Sequence, residues 1–201
     1  MKILVFGSTG MLGHTLIRYL QNQKSLEVEF TVRDKTKQKI CKKIFGKEAK
    51  FLFDADHPES ALDAIRTFQP NICINCLGLI KQKDDSKNYL KSIRINSLIP
   101  HIISEYCTEY NSKLIHISTD YVFNGAQNFP YQTDQIKNPI NIYGKSKAEG
   151  EDEIQKAMTK SKNYYILRTS WLMGEKGGNF SSKIIELLSK KDEIDVISDQ
   201  F

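Results

Sequence analysis

Lys2-Ile-Leu-Val-Phe-Gly-Ser-Thr-Gly-Met-Leu-Gly13 decides the fold of this chain. Ile3 to Phe6 is a short apolar run with the character of a buried strand. His14 to Gln21 carries Leu16, Ile17 and Leu20 at helical spacing. Between them lies a glycine turn spaced G-x-x-G-x-x-G. Gly7 lets the chain turn without a Cβ, Gly10 lets the backbone approach an anion, and Gly13 lets the helix pack closely on the strand. The helix N-terminus adds unpaired N–H groups and a partial positive charge. Together these predict a strand, turn and helix that hold the diphosphate of a dinucleotide. The spacing departs from the general G-x-G-x-x-G fingerprint, and an ordinary glycine-rich turn is the competing reading.

Outward from this turn, strand and helix patterns alternate. Val28 to Val32 reads as a second strand, Lys50 to Phe53 as a third, and Ala61 to Phe68 as a helix ended by Pro70. Ile72 to Leu79 reads as a fourth strand, Tyr89 to Tyr110 as a helical stretch containing Pro100, and Lys113 to Ser118 as a fifth strand. A loop rich in Asn, Gly and Pro runs from Asn124 to Pro139. A helix from about Ile142 to Lys160 and a sixth strand from Tyr164 to Arg168 come after it. Strands joined by crossover helices predict an α/β fold, a Rossmann-like doubly wound parallel sheet. Ligands bind such sheets at the carboxyl ends of the strands.

Composition narrows the classes. No apolar run in the 201 residues approaches the roughly 18 needed to span a bilayer, and the opening lacks the regions of a secretory signal, so the cytoplasm is expected. The net charge of +5 draws on a lysine run from Lys35 to Lys50, which reads as a solvated face rather than a nucleic-acid groove because aromatic residues are sparse within it. Cys73 and Cys76 have C-x-x-C spacing but fall on a strand, where positions three apart face opposite ways. They read as core thiols, and no metal site is expected.

Arg33 ends the second strand about 20 residues beyond the glycine turn, where an acidic residue would bind the ribose of NAD. A guanidinium there suits a 2′-phosphate, which favours NADP(H) over NAD(H); the alternative gives the ribose to Asp34. Asp54, ending the third strand, stands either at the adenine edge or in a turn. Tyr143 and Lys147 lie four apart on a helix and share a face, so the ammonium is expected to lower the phenol and fit it to protonate a carbonyl oxygen. Ser118 and Thr119 close the fifth strand, where a hydroxyl, by preference that of Thr119, polarises the same carbonyl.

The glycine turn, Ser118-Thr-Asp-Tyr-Val-Phe123, Tyr143-Gly-Lys-Ser-Lys-Ala-Glu-Gly-Glu151 and Leu167-Arg-Thr-Ser-Trp-Leu172 together resemble the extended short-chain dehydrogenase/reductase family. Within it they are similar to the dTDP-4-dehydrorhamnose reductase branch, over essentially the whole chain. The resemblance implies Thr119, Tyr143 and Lys147 as the catalytic set in reduction of a nucleotide-linked 4-keto-deoxysugar. It implies Gly7, Thr9, Gly10, Met11, Leu12, Gly13, Cys76 and Leu77 along the cofactor, and Ser118, Asp120, Tyr121, Trp171 and Asn179 toward the sugar. A homodimer stays open.

Residues 1–170 are expected to form the nucleotide domain. Residues 171–201 are expected to begin a smaller substrate lobe, which the chain leaves unfinished at Val196 to Phe201. Two departures bear on the particular sugar. The turn reads Gly10-Met-Leu-Gly13 where the best-known rhamnose reductases carry Gly-Gln-Leu-Gly, and Lys81 to Lys87 is unusually charged. Two rival functions remain. One is a nucleotide-sugar epimerase or dehydratase; the other is a non-enzymatic regulatory subunit like that of methionine adenosyltransferase.

Overall fold

The computed structural model describes residues 1–80, 88–174, 179–191 and 193–195. The charged segment Lys81 to Lys87 and the chain end Val196 to Phe201 lie outside the described residues.

Six parallel strands form one sheet in the order β3-β2-β1-β4-β5-β6. They are β1 (Lys2–Phe6), β2 (Glu27–Val32), β3 (Phe51–Leu52), β4 (Ile72–Asn75), β5 (Lys113–Thr119) and β6 (Tyr164–Thr169). The chain winds outward from β1 to β3, then returns to β4 on the other side of β1. The switch point therefore falls between β1 and β4, where doubly wound sheets open a crevice at their carboxyl edge.

Strand periodicity sorts the core into two faces. Leu4 and Phe6 of β1, Cys73 of β4 and Leu114 of β5 pack on α3 (Ser60–Phe68), α5 (Ile99–Glu109) and α6 (Ile142–Ala157). Ile3 and Val5 of β1, Phe30 of β2 and Ile74 of β4 face α1 (Met11–Gln21) and α2 (Lys35–Phe45). Phe6 is fully buried edge-on to Phe53, with ring centroids 5.5 Å apart, and such a side chain contributes about 2–3 kcal/mol through burial. Cys73 and Cys76 pack on opposite faces, as strand geometry requires, and Cys73 meets Cys107 instead.

Three differences from the sequence expectation have physical causes. The lysine run forms α2, started by Asp34, whose carboxylate accepts from the Lys37 N–H at 2.9 Å, and stopped by Gly46 at φ +74°. Cys41 is its only buried residue, which explains why the segment looked like a solvated face. β4 ends at Asn75 rather than Leu79 because the Asn96 side chain captures the backbone of Leu79, accepting from its N–H at 2.8 Å and donating to its carbonyl at 3.1 Å. The helical stretch from Tyr89 is interrupted: α4 (Tyr89–Ile93) passes through a π-helical turn (Arg94–Leu98) before α5. Pro100 stands at the start of α5 and has no N–H to return to the Asn96 carbonyl four residues back. Beyond β6, α7 (Phe180–Leu188) is a further helix.

Candidate active site

The crevice is shaped by glycine. Gly7 turns the chain at φ +87°, and a Cβ there would come within 3.1 Å of the Cys76 backbone, so the ends of β1 and β4 touch. A Cβ on Gly13 would sit 2.2 Å from the Gly7 carbonyl oxygen, so α1 starts directly on the turn. The start of α1 has no side-chain cap and no acidic residue in its first turn. Its leading N–H groups and partial positive charge therefore face the crevice, with Thr9 and Gly10 exposed and Met11 and Leu12 half-buried. This cradle fits a dinucleotide diphosphate.

Arg33 is exposed at the end of β2. The rival for the ribose, Asp34, is engaged in capping α2, and that hydrogen bond holds its carboxyl below the usual range. The Asp54 carboxylate accepts from the Asp56 N–H at 3.0 Å, so it is engaged in a turn.

The second half of the site rests on the start of α6. Asn141 caps the helix by accepting from the Gly144 N–H at 2.8 Å. A Cβ on Gly144 would lie 2.2 Å from the Tyr121 carbonyl oxygen, so the first turn of α6 lies against the 3₁₀ turn Asp120–Val122 at the end of β5. This close approach seats Tyr143 at the end of β5, where Thr119 acts on its phenol, with the Tyr121 ring edge-on at 5.8 Å. Thr119 also donates to the Asp120 carboxylate at 2.9 Å. Burial raises the Tyr143 phenol above its ordinary value, and the Thr119 hydrogen bond opposes that rise.

Lys147, expected to share a face with Tyr143, finds its polar partners across the sheet. The side chain is buried instead: Nζ donates to the Ile117 carbonyl at 2.6 Å and lies 3.1 Å from Nε2 of His116. Burial pushes Lys147 down to about 8 despite the opposing pull of Glu151.

Two side chains placed by sequence toward the sugar have local partners in the structure. The Ser118 hydroxyl points away from Thr119 and donates to the fully buried Glu151 at 2.5 Å. Neighbouring residues of a strand face opposite ways, so only one of the two can serve the cleft. Glu151 is held in turn by the Arg168 guanidinium, at 2.7 Å from NH2 and 3.0 Å from Nε. Asn179 caps α7, accepting from the Ser182 N–H at 3.0 Å and donating to the Gly174 carbonyl at 2.9 Å, so its amide is engaged locally. Trp171 leaves β6 at φ +47°, a strained backbone region for a side chain of that size, and packs edge-on to Phe180 at 4.7 Å.

Sequence reasoning missed Asn75, His116, Asn96 and Glu151. Asn75 and His116 carried a signal, being polar residues within otherwise apolar strands. Among the described residues no cluster could hold a metal ion, and no helix is long and apolar enough to cross a membrane.

A parallel sheet with a glycine turn at its switch point, and a Thr, Tyr and Lys on the adjoining strand and helix, defines a Rossmann-fold member of the extended short-chain dehydrogenase/reductases. Comparison with known proteins gives the branch. The chain belongs to the family described as RmlD substrate binding domain, whose model matches residues 1–201. It is 30% identical to the dTDP-4-dehydrorhamnose reductase of Salmonella typhimurium over 202 residues, covering 100% of this chain and 61% of that protein. It is 33% identical to the spore coat polysaccharide biosynthesis protein SpsK of Bacillus subtilis, covering 99% of this chain and 63% of that one. A crystal structure of the dTDP-4-dehydrorhamnose reductase of Bacillus anthracis in complex with NADP matches at TM-score 0.79 and 26% identity, over 96% of this chain and 61% of that one. The chain thus spans about three fifths of the length of these relatives.

Proposed function

We propose that this chain carries the cofactor and proton-transfer half of an NADPH-dependent reductase acting on a nucleotide-linked 4-keto-deoxysugar, in the making of cell-surface polysaccharide precursors. The observation that carries this reading is the close seating of the first turn of α6, with Tyr143, on the end of β5 that holds Thr119, beside the glycine cradle. The named activity of the reductase relatives supports it.

The dinucleotide, when bound, supplies the hydride for the carbonyl carbon. Tyr143 delivers a proton to the carbonyl oxygen, and a phenol held above its ordinary value is protonated at neutral pH, as a proton donor must be. The Thr119 hydroxyl, turning its one proton from the Asp120 carboxylate, donates to the same oxygen and stabilises the charge developing there. Lys147 serves the nicotinamide ribose, and Arg33 meets the 2′-phosphate that distinguishes NADPH from NADH. Asp120, Tyr121 and Trp171 lie toward the sugar, and residues 171–201 open the lobe that completes its site. The compartment is the cytoplasm.

The test monitors reduced-nicotinamide absorbance with dTDP-4-dehydrorhamnose as substrate. Tyr143→Phe should lower turnover by about 10³-fold while leaving NADPH binding nearly intact. Arg33→Ala should weaken NADPH far more than NADH. Sugar-independent behaviour, or equal weakening of the two nucleotides, would overturn the assignment.

A further inference from the structure

Four groups form a chain of hydrogen bonds across the centre of the sheet. The Leu77 N–H donates to Oδ1 of Asn75 at 3.0 Å. Nδ2 of Asn75 lies 3.1 Å from Nδ1 of His116, and Nε2 of His116 lies 3.1 Å from Nζ of Lys147. Asn75 and His116 have no exposed surface, and Lys147 is 3% exposed. Water cannot repair a mismatch here, so donors and acceptors must alternate along the chain.

Only one assignment satisfies every link. The Leu77 backbone can only donate, which fixes Oδ1 of Asn75 as its acceptor and leaves Nδ2, a donor, facing His116. Nδ1 of His116 must therefore accept, so the neutral ring carries its proton on Nε2. That proton points at Lys147. An ammonium has three donors and no acceptor, whereas a neutral amine has a lone pair. A protonated Lys147 in this position sets two donors against each other, and a protonated His116 does the same at Asn75. An unmade hydrogen bond at such a buried site is costly.

We propose that this one-way chain admits Lys147 beside His116 only as the neutral amine of its alkaline form, and that gaining a proton toward neutral pH releases its Nζ from His116 toward the cofactor crevice. Asn75 and His116 are then positioning residues: they act on the cleft through the lysine whose charge and place they set. The proton comes from solvent and returns to it when Nζ moves back.

The surroundings agree. Among the described residues, Lys147 meets three titratable groups: His116 from β5, Cys76 from the loop after β4, and Glu151 from one turn further along α6. Burial lowers His116 well below its ordinary value and raises the Cys76 thiol to about 12, so both are neutral near pH 7. Glu151, Cys76 and the Ile117 carbonyl that accepts from Nζ at 2.6 Å pull toward the ammonium, but Glu151 is already held by Arg168 and Ser118 and burial outweighs the three. The destination is close, since Asn75 of the chain is followed directly by Cys76, whose backbone meets Gly7 of the cradle. The inference rests on the reading of that crevice as the cofactor site.

The test is a pH titration of the full chain without nucleotide, monitoring lysine Nζ and histidine ring nitrogens by ¹⁵N NMR, with Lys147→Arg to assign the lysine signal. Lys147 should titrate near 8, and His116 should show the Nε2–H tautomer with a shift moving at the same midpoint. Asn75→Asp offers an acceptor to both Leu77 and His116, which turns the ring to the Nδ1–H tautomer and lets Nε2 accept from an ammonium. The Lys147 midpoint should then rise by about one pH unit or more. If Asn75→Asp does not fold, His116→Gln should also raise it, because its amide oxygen can accept. A His116 ring protonated on Nδ1 in the native chain, or a Lys147 midpoint near the ordinary 10.5, overturns the proposal. Failure to bind NADP⁺ in a separate titration would sink the reductase reading alone.

Discussion

Helices α6 and α7 are both amphipathic, yet α6 buries Gly144, Ser146, Lys147, Ala148, Gly150, Glu151 and Ile154, while α7 buries none of its described residues. The difference lies in what lets a helix approach its neighbours. A Cβ on Gly150 would lie 2.1 Å from the Asn96 carbonyl oxygen, and one on Gly144 would lie 2.2 Å from that of Tyr121, so α6 is seated backbone against backbone at two points. α7 is well made locally, with a capping box between Asn179 and Ser182, but it leaves Phe180, Ile185 and Leu188 exposed. Across the sheet, Tyr165 and Leu167 of β6 are exposed as well. Capping makes a helix; close packing against a partner surface gives it a fixed place.

That contrast can be broken most forcefully at Glu151. Glu151→Ala leaves the Arg168 guanidinium and Ser118 without their buried partner, and urea unfolding should show a loss of about 3 kcal/mol or more. Gly150→Ala drives a methyl into the Asn96 carbonyl and should cost about 1–3 kcal/mol in the same assay, with loss of NADPH affinity as α6 shifts. A pH-confined effect belongs to Lys147. Its folded value of about 8 lies below the ordinary 10.5, so between the two the unfolded chain holds the extra proton and stability rises with pH. Against Lys147→Met, the native chain should gain stability through that window and show a constant difference below it. The smallest change is expected at α7: Asn179→Ala removes a cap worth about 1 kcal/mol to its helix, and global unfolding should barely move.

The nucleotide half of the fold was legible because its signals are local. Gly7, Gly10 and Gly13 state a turn and a close helix within a few residues, and β1, β2, β5 and β6 appeared within a residue or two of their observed limits. What was not legible depended on partners distant in sequence. The end of β4 is set by the side chain of Asn96, and the direction of the Ser118 hydroxyl by Glu151. Lys147 was read along its own helix, where Tyr143 is its neighbour, and not across the sheet, where His116 is. α2 was missed although Asp34 and Gly46 mark its ends, because charge along its length outweighed those signals.

The π-helical turn at Arg94–Leu98 has a consequence for how this protein tolerates change. Its Asn96 fastens Leu79, on the loop after β4, to Ser146, which lies between Tyr143 and Lys147 on α6. A π turn amounts to one residue inserted into an α-helix, rotating the rest of the helix by about 100°. Deleting one residue there would restore regular helical bonding and rotate Asn96 off its partners. Variants chosen for stability alone would be drawn toward that repair, and the irregular helix would be kept only where the clasp between cofactor loop and helix is itself under selection.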